Sequence, residues 1–407
     1  MIFDLFKLHS KKDTANSWIW IEIDHSFINR YILDYFNKNS KNEVARIISK
    51  KLNCGFSTIF KHLCRIINNK EVKIPLPIII ELINLINPKV KIKAIKSIKY
   101  FWTYKDKTKK RIVIPYKINE LLAKIIGGHI ADGHMQKDKL SYKINISHGR
   151  KEDLNFFGVW IKQVFNIDGR MRFSKKDNTW SLWYSNKIIG KFFENIAKIK
   201  AGKKFHIVKE PEIIKNSSLN IRNDFALGVM TFDGTVKTCG IISIRLKSKR
   251  LINDLEKIFQ LNNIKLNKIY NLNKDIWILE SNSGRNISYL TKWQRFFEPK
   301  SWKSSRLNFF INPYNCSIEE LELLFPRYYN NKIGISDVWK VIKYIKSGKI
   351  CDIQRKLKIK GLKVANTTLH KYLQILHKSN LMQISYEKYS DIGWGGRKAI
   401  YSLKCQL

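Results

Sequence analysis

"IIGGHIADGH", residues 125–134, places two glycines and an aspartate inside an apolar run and closes the run with a third glycine. Gly127 and Gly128 each cost a helix interior about 1 kcal/mol relative to alanine, because an unrestrained glycine backbone has more entropy to lose. Asp132 stands just before Gly133, where the pattern predicts that the helix leaves through a left-handed C-terminal cap. Its charge there faces the negative end of the helix dipole. Three local rules broken within a turn and a half mark a place where function outweighs stability.

An echo follows at 225–236, "FALGVMTFDGTV", with its Asp233-Gly234 pair 101 positions after Asp132-Gly133. Each pair ends a helical pattern, Ile118, Leu121, Leu122, Ile125 and Ile126 in the first and Ile221, Phe225 and Val229 in the second. Each then precedes a strand. In "SYKINISHG", Tyr142, Ile144 and Ile146 alternate with Ser141, Lys143, Asn145 and Ser147; in "GIISIRLKS", Ile242, Ile244 and Leu246 alternate with Ser243, Arg245 and Lys247. One face of each strand is core and the other polar and basic. Helices "EDLNFFGVWIKQVFNI" and "KRLINDLEKIFQLNNI" come next, then further strands that include "TWSLWYSN" and "DIWILESN". The pattern predicts an α+β fold with two pseudo-symmetric αββαββα repeats, 116–210 and 211–300.

The repeat supplies a use for the glycines. If the two helices pack side by side on a pseudo-two-fold axis, Gly127, Gly128 and Gly228 allow close backbone approach. Both helices then end together and deliver Asp132 and Asp233 side by side. Two carboxylates with nearby carbonyls form an oxygen-rich site for a hard divalent cation such as Mg²⁺, or Mn²⁺ in its place.

With these residues in view, the chain resembles the LAGLIDADG, or dodecapeptide, homing endonucleases: "IIGGHIADG" and "ALGVMTFDG" look like that family's two signature helices, with the penultimate acid present in both. The resemblance implies a single-chain nuclease whose two sheets form a saddle along the DNA major groove. It implies that Asp132 and Asp233 bind metal and activate water to hydrolyse one phosphodiester in each strand. It further implies a basic residue at the last strand-to-helix junction of each repeat. Matching "YSNKIIGKFF" to "SNSGRNISYL" with a three-residue gap assigns these places to Lys187 and Arg285. On the sheets, Ser141, Lys143, Asn145, Ser147, Arg172, Ser243, Arg245 and Lys247 are the expected DNA contacts.

Charge points to the same partner. Lys and Arg total 76 against 33 Asp and Glu among 407 residues, a formal net charge of +43. Even with part of the Lys, Ile and Asn richness assigned to biased base composition, such an excess attracts a polyanion. Cys54, Cys64, Cys239, Cys316, Cys351 and Cys405 are scattered without metal-ligand or disulfide spacing, which points to a reducing compartment. No eighteen-residue uncharged apolar window occurs, so no membrane partner is expected. His129 and His134 lie five apart, not the four that aligns two ligands on one helical face. They read as a helix-interface packing residue and a hydrogen-bonding loop residue. Cys239 reads as a strand-start residue of core or edge.

Two further modules flank the repeats. Within a helical N-terminal region, 1–115, residues 42–69 read as helix, Asn53-Cys54-Gly55 turn and second helix, with Ser57 as its cap and Lys61, His62 and Arg65 on its polar face. This looks like a helix-turn-helix or a plain helical hairpin, and "LPIIIELINLI" closes a small bundle. Residues 301–333 read as a linker punctuated by Pro313 and Pro326. In 334–407, three amphipathic helices and a two-stranded wing around "DIGWGGR" resemble a winged helix. Asn366 or Thr367 would cap a recognition helix that carries Thr368, His370, Lys371 and Gln374.

Three functional classes remain open: a metal-dependent site-specific DNA endonuclease, favoured by the two acids; a catalytically silent DNA-binding regulator on the same scaffold; and an intron RNA maturase. The expected partner is double-stranded DNA with a long asymmetric site, bound by a monomer, with intron RNA as a second polyanion. The expected location is inside the cell, in a prokaryotic cytoplasm or nucleoid or an organelle matrix. An intein is not expected, because Met1 and "KCQL" stand where a nucleophile and a His-Asn end would be.

Overall fold

The structure, a computed structural model, describes residues 2–10, 13–68, 73–103, 111–138, 141–202, 206–281, 286–326, 333–388 and 397–404. The chain forms two compact units, Met1–Asp233 with Leu246–Ile258, and Gly234–Arg245 with Phe259–Leu407. Among the described residues no helix is long and apolar enough to cross a membrane.

In the first unit the N-terminal region is not purely helical. "IWIEI" alternates with period two, so β1 (Ile19–Ile23) buries Ile19, Ile21 and Ile23 and pairs antiparallel with β2 (Lys73–Pro75) and β3 (Ile98–Thr103). Helices α1 (Lys41–Leu52) and α2 (Phe56–Ile67) are joined through Asn53, whose φ of 47° ends α1 in the left-handed region. Gly55 occupies the N-cap of α2 without a side-chain bond, so Ser57 lies inside the helix and is not its cap. α3 (Leu76–Ile86) carries Pro77 in its first turn and buries Ile78, Ile79, Leu82 and Ile83. The expected boundary at 115 is absent. Phe3 N–H donates to the Tyr116 carbonyl at 2.7 Å, Val113 N–H donates to Phe165 O at 3.2 Å, and the Phe3 ring meets Phe192 edge-on at 5.8 Å.

The first repeat then runs α4 (Glu120–Ala131), β4 (Gly133–Lys137), β5 (Tyr142–His148), α5 (Lys151–Phe165), β6 (Arg170–Ser174), β7 (Thr179–Ser185) and α6 (Lys187–Lys191). Its antiparallel sheet has the order β4-β5-β7-β6. Tyr142, Ile144, Ile146, Leu182 and Tyr184 point from it into the core. α7 (Leu219–Asp233) completes this unit's motif pair.

After α7 the same element order recurs: β8 (Gly234–Val236), β9 (Ile242–Leu246), α8 (Lys249–Leu261), β10 (Leu266–Asn271), β11 (Ile276–Ser281) and α9 (Ile287–Thr291). The strand order, β8-β9-β11-β10, is also the same. Content is α+β, and each of these strands has an antiparallel neighbour.

Of the expected linker 301–333, the described residues 301–326 are packed and helical. α10 (Trp302–Ile311) and α11 (Ile318–Leu324, opened by a Ser317–Glu320 capping box) bury Leu307, Phe309, Phe310 and Leu321. Arg306, also buried, donates from Nε to Leu324 O at 2.6 Å and from Nη1 to Val236 O at 2.7 Å, tying both helices to β8. α12 (Ile335–Ile345), β12 (Ser347–Lys349), α13 (Ile350–Ile359), α14 (Asn366–Lys378), β13 (Met382–Lys388) and β14 (Arg397–Leu403) finish the unit. Its sheet has three strands, β12-β14-β13, one more than the two-stranded wing the sequence predicts. Residues 389–396, where the sequence reading put the tip of the wing, lie outside the described residues.

Candidate active site

The two motif helices meet backbone to backbone. Asn119 opens α4 by accepting from Leu122 N–H at 2.8 Å. A Cβ on Gly127 would stand 2.1 Å from the Phe225 carbonyl oxygen, and one on Gly228 would stand 2.2 Å from that of Lys124. Only hydrogen fits at either place. A Cβ on Gly128 would press on the Phe232 ring at 2.7 Å and on Phe157 at 3.1 Å. Lys124 Nζ lies 3.6 Å from Asp224 on one side of the crossing, and Gly128 faces Phe232 on the other, so the helices run in the same direction. Each aspartate follows its crossing glycine by five residues, about 7.5 Å at the helical rise. The structure therefore brings Asp132 and Asp233 to the same end of the pair.

The exit from α4 differs from the sequence expectation. The chain passes from Asp132, at φ −101° and ψ 0°, into β4 with no left-handed residue. Gly133 is needed for space instead: a Cβ would lie 2.3 Å from His129 Nδ1 and 2.4 Å from His129 O. His129 itself is buried and stacks on Phe193 at 4.4 Å, a packing residue.

Beside Asp132 stands a histidine that the sequence reading passed over. His148, the last residue of β5, has Nε2 4.0 Å from Asp132 Oδ2 and Nδ1 3.2 Å from Asp153 Oδ2. Asp153 is fully buried in the first turn of α5. The imidazole edge packs on Phe232, the residue before Asp233, at 5.8 Å. Arg150 N–H donates to Nδ1 at 3.3 Å. The sequence held a signal for this group. Gly133 pairs with Ile146 and Gly234 with Ile244, so His148 corresponds to Leu246. The following helices begin three residues on in both repeats, which equates Asp153 with Leu251.

The outer face of the first sheet collects polar groups. Lys143 is opposite Ser185, Asn145 opposite Trp183, and Ser147 opposite Ser181, with the two serine hydroxyls 2.7 Å apart. Arg170 and Arg172, opposite Trp183 and Ser181, extend that face and are exposed. Lys143 is exposed, with its ammonium 3.8 Å from Asp138, and Ser141 is half-buried ahead of β5. His134 is not a loop residue: it is exposed on β4 opposite Asn145. Trp183, half-buried in the middle of this face, is a further candidate that alternation alone did not single out.

In the second repeat Arg245 and Lys247 are exposed, but Ser243 is buried. It is a small side chain on an interior strand, opposite Thr235. That sheet's outer face carries Ile269 opposite Ile278 and Asn271 opposite Ile276, with a Lys237–Glu280 ion pair. Cys239 lies in the turn between β8 and β9 and not at a strand start.

Lys187 does not stand as an accessible cation. It is the first residue of α6, capped by Asn186, whose Oδ1 accepts from Ile188 and Ile189 N–H at 3.0 and 3.1 Å. Its ammonium lies 2.9 Å from Asp13 Oδ1 and donates to Ser17 O at 2.6 Å, while Lys191 holds the other Asp13 oxygen. Burial raises the Asp13 pKa, but the hydrogen bonds from Lys191 and Lys187 outweigh it and leave the carboxyl below its ordinary value. Arg285 lies outside the described residues.

In the flanking modules Lys61 is exposed on α2, whereas His62 packs edge-on against Trp20 at 5.3 Å. On α14, Lys371 is exposed and Thr368 half-buried, and His370 Nδ1 lies 3.2 Å from the Tyr401 hydroxyl. Ala365 occupies the N-cap of α14, so neither Asn366 nor Thr367 caps it.

The donors at the motif ends suit a hard divalent ion. Among the described residues no three His, Cys, Asp or Glu side chains converge as a closed metal cluster. One or two carboxylates with main-chain carbonyls and substrate phosphates is the way Mg²⁺ is commonly bound.

No family model and no curated protein matches the chain. Among solved structures it is similar to the homing endonuclease I-DmoI in complex with DNA and Ca, with 14% identity over 46% of this chain and 96% of that one, TM-score 0.37. It is similar to the homing endonuclease I-WcaI bound to its DNA recognition sequence, with 11% identity over 48% and 87%, TM-score 0.33. Full-length DUF199/WhiA from Thermatoga maritima is similar at 12% identity over 65% and 93%, TM-score 0.32.

Proposed function

We propose that the chain is a site-specific, divalent-metal-dependent double-strand DNA endonuclease built on two pseudo-symmetric LAGLIDADG repeats. The observation that carries this reading is the glycine-to-glycine crossing that ends two parallel helices at Asp132 and Asp233. Bringing two like charges together at helix C-termini opposes stability unless a cation joins them. Mg²⁺ or Mn²⁺, when bound, would supply a lowered water pKa and neutralise charge on the leaving oxygen. Asp132 and Asp233 would hold it. The face bearing Lys143, Asn145, Arg170 and Arg172 would hold the phosphate backbone and orient the scissile bonds. The C-terminal unit of three helices and a three-stranded sheet reads as a winged helix that adds phosphate contacts through Lys371 and its neighbours. The protein would act as a monomer on a long asymmetric site.

The test is cleavage of a randomised long-site duplex library with Mg²⁺. Asp132→Asn and Asp233→Asn should each lower double-strand cleavage at least about 100-fold, since several kcal/mol of metal-assisted stabilisation is lost. Binding should persist. A wild-type protein that binds but enriches no cut site would establish the silent regulator, and selective retention of structured intron RNA the maturase.

A further inference from the structure

We propose that His148 is a nitrogen ligand for a divalent ion at Asp132, backed by the buried carboxylate of Asp153, a donor pair that the second repeat does not carry at the corresponding positions. The proposal rests on the reading of Asp132 as a metal ligand and adds to it a donor, a metal preference and an asymmetry.

Three observations converge. First, the 4.0 Å between His148 Nε2 and Asp132 Oδ2 is too long for a hydrogen bond. It is within the span of two atoms that share one ion at about 2.0–2.2 Å from each. Second, the buried Asp153 carboxylate stands where it can take a proton-bearing Nδ1 when Nε2 turns to an ion. Nδ1 accepts from Arg150 N–H at 3.3 Å and also lies 3.2 Å from Asp153 Oδ2, so an ion on Nε2 would move the ring proton to Nδ1 and exchange the amide for a charged acceptor already in reach. With Nδ1 protonated, the lone pair of the neutral ring lies on Nε2. A carboxylate behind an imidazole is the usual arrangement for raising the basicity of a ligating histidine and fixing its plane. Third, the ring packs crosswise on Phe232, which itself packs on Phe157 at 5.8 Å, and these contacts favour the orientation that faces Asp132.

The second repeat lacks both partners, with Leu246 and fully buried Leu251 at the corresponding places. A carboxylate without imidazole suits Mg²⁺, whereas a carboxylate with imidazole shifts preference toward Mn²⁺ and later divalent ions. The two half-sites would then differ in affinity for one metal.

Titration of the full-length protein with Mn²⁺ or Mg²⁺ alone, without DNA, tests this. His148→Ala should weaken the tighter Mn²⁺ site at least about tenfold and leave Mg²⁺ binding nearly unchanged, and Asp153→Asn should weaken the same Mn²⁺ site about tenfold. Asp233→Asn should leave the histidine-dependent site in place. Pulsed electron paramagnetic resonance of Mn²⁺ on the unmutated protein should show coupling to an imidazole ¹⁴N, a readout that needs no variant to fold. Absence of that coupling, or unchanged Mn²⁺ affinity in His148→Ala while Asp132→Asn abolishes binding, overturns the histidine ligand alone. If Asp132→Asn also leaves Mn²⁺ binding unchanged, the aspartate reading falls with it.

Discussion

The two repeats share element order and strand order but differ where chemistry would be done. In the first, the sheet's outer face presents Lys143, Asn145, Ser147, Arg170 and Arg172, and the motif aspartate is backed by His148 and Asp153. In the second, the corresponding face carries Ile269, Ile276 and Ile278 beside Asn271 and exposed Arg245, one ion pair uses Lys237, and leucines replace the histidine and its carboxylate. What they have in common is the part that folding constrains: an apolar inward face and a glycine at the helix crossing. Outward positions are free to diverge, because substitutions there disturb no core packing, whereas at the strand-to-helix junction the exchange of Asp153 for Leu251 is made inside the core.

The sharpest way to break this comparison is at the crossing, which treats the repeats alike. Gly127→Val and Gly228→Val should each abolish cooperative folding of the whole first unit. The added carbon meets a backbone carbonyl from the partner helix, which cannot rotate aside, so the cost exceeds the roughly 1–3 kcal/mol of ordinary overpacking. Circular dichroism melts that remained near wild type for either one would show that the helices do not depend on contact at that point.

Next in size is the Asp13 cluster, which ties the N-terminal segment to the first repeat. Asp13→Ala leaves Lys187 and Lys191 facing each other without a carboxylate and should cost about 3 kcal/mol, measured by urea denaturation. Lys187→Met should also destabilise the protein. If it instead lowered cleavage at unchanged stability, Lys187 would be catalytic after all.

A smaller effect separates the two sheet faces. Arg172→Ala should weaken DNA binding on any sequence and reduce the salt slope by about 0.9, with little change in melting. Ile269→Ala, on the other sheet, should leave the slope unaltered. Equal losses would mean that the isoleucine-bearing part of that face also meets phosphate.

The smallest is a pH effect. Asp13 has a folded pKa below its unfolded one, so its contribution is complete above the ordinary carboxylate value, near 4. It fades as pH falls through the depressed folded value. In Asp13→Asn this acid-side fade should be missing from the stability-versus-pH curve, while carboxylates elsewhere keep theirs.

Sequence alone determined the parts of this protein that depend on period and spacing. Alternation placed Ile144, Ile146, Ile242 and Ile244 inside, the repeated Asp-Gly pairs marked the ends of two helices, and the 3.6-residue period located α3, α5 and α8. These are local regularities, and each residue's neighbours in the chain report on them. Tertiary structure decided the rest. That Gly133 is needed for His129 and not for a left-handed turn is a matter of a 2.3 Å approach. Lys187 is occupied because Asp13, 174 positions earlier, folds onto it. Ser243 is buried although its alternation reads as outward, and residues 302–324 are packed into the core where Arg306 reaches Val236. His148 and Asp153 became a pair only when β5 and α5 met at the end of α4. Periodicity tells which way a side chain leaves the backbone; which distant group it meets, and whether a charge is left for a ligand, is fixed by contacts that no stretch of chain contains.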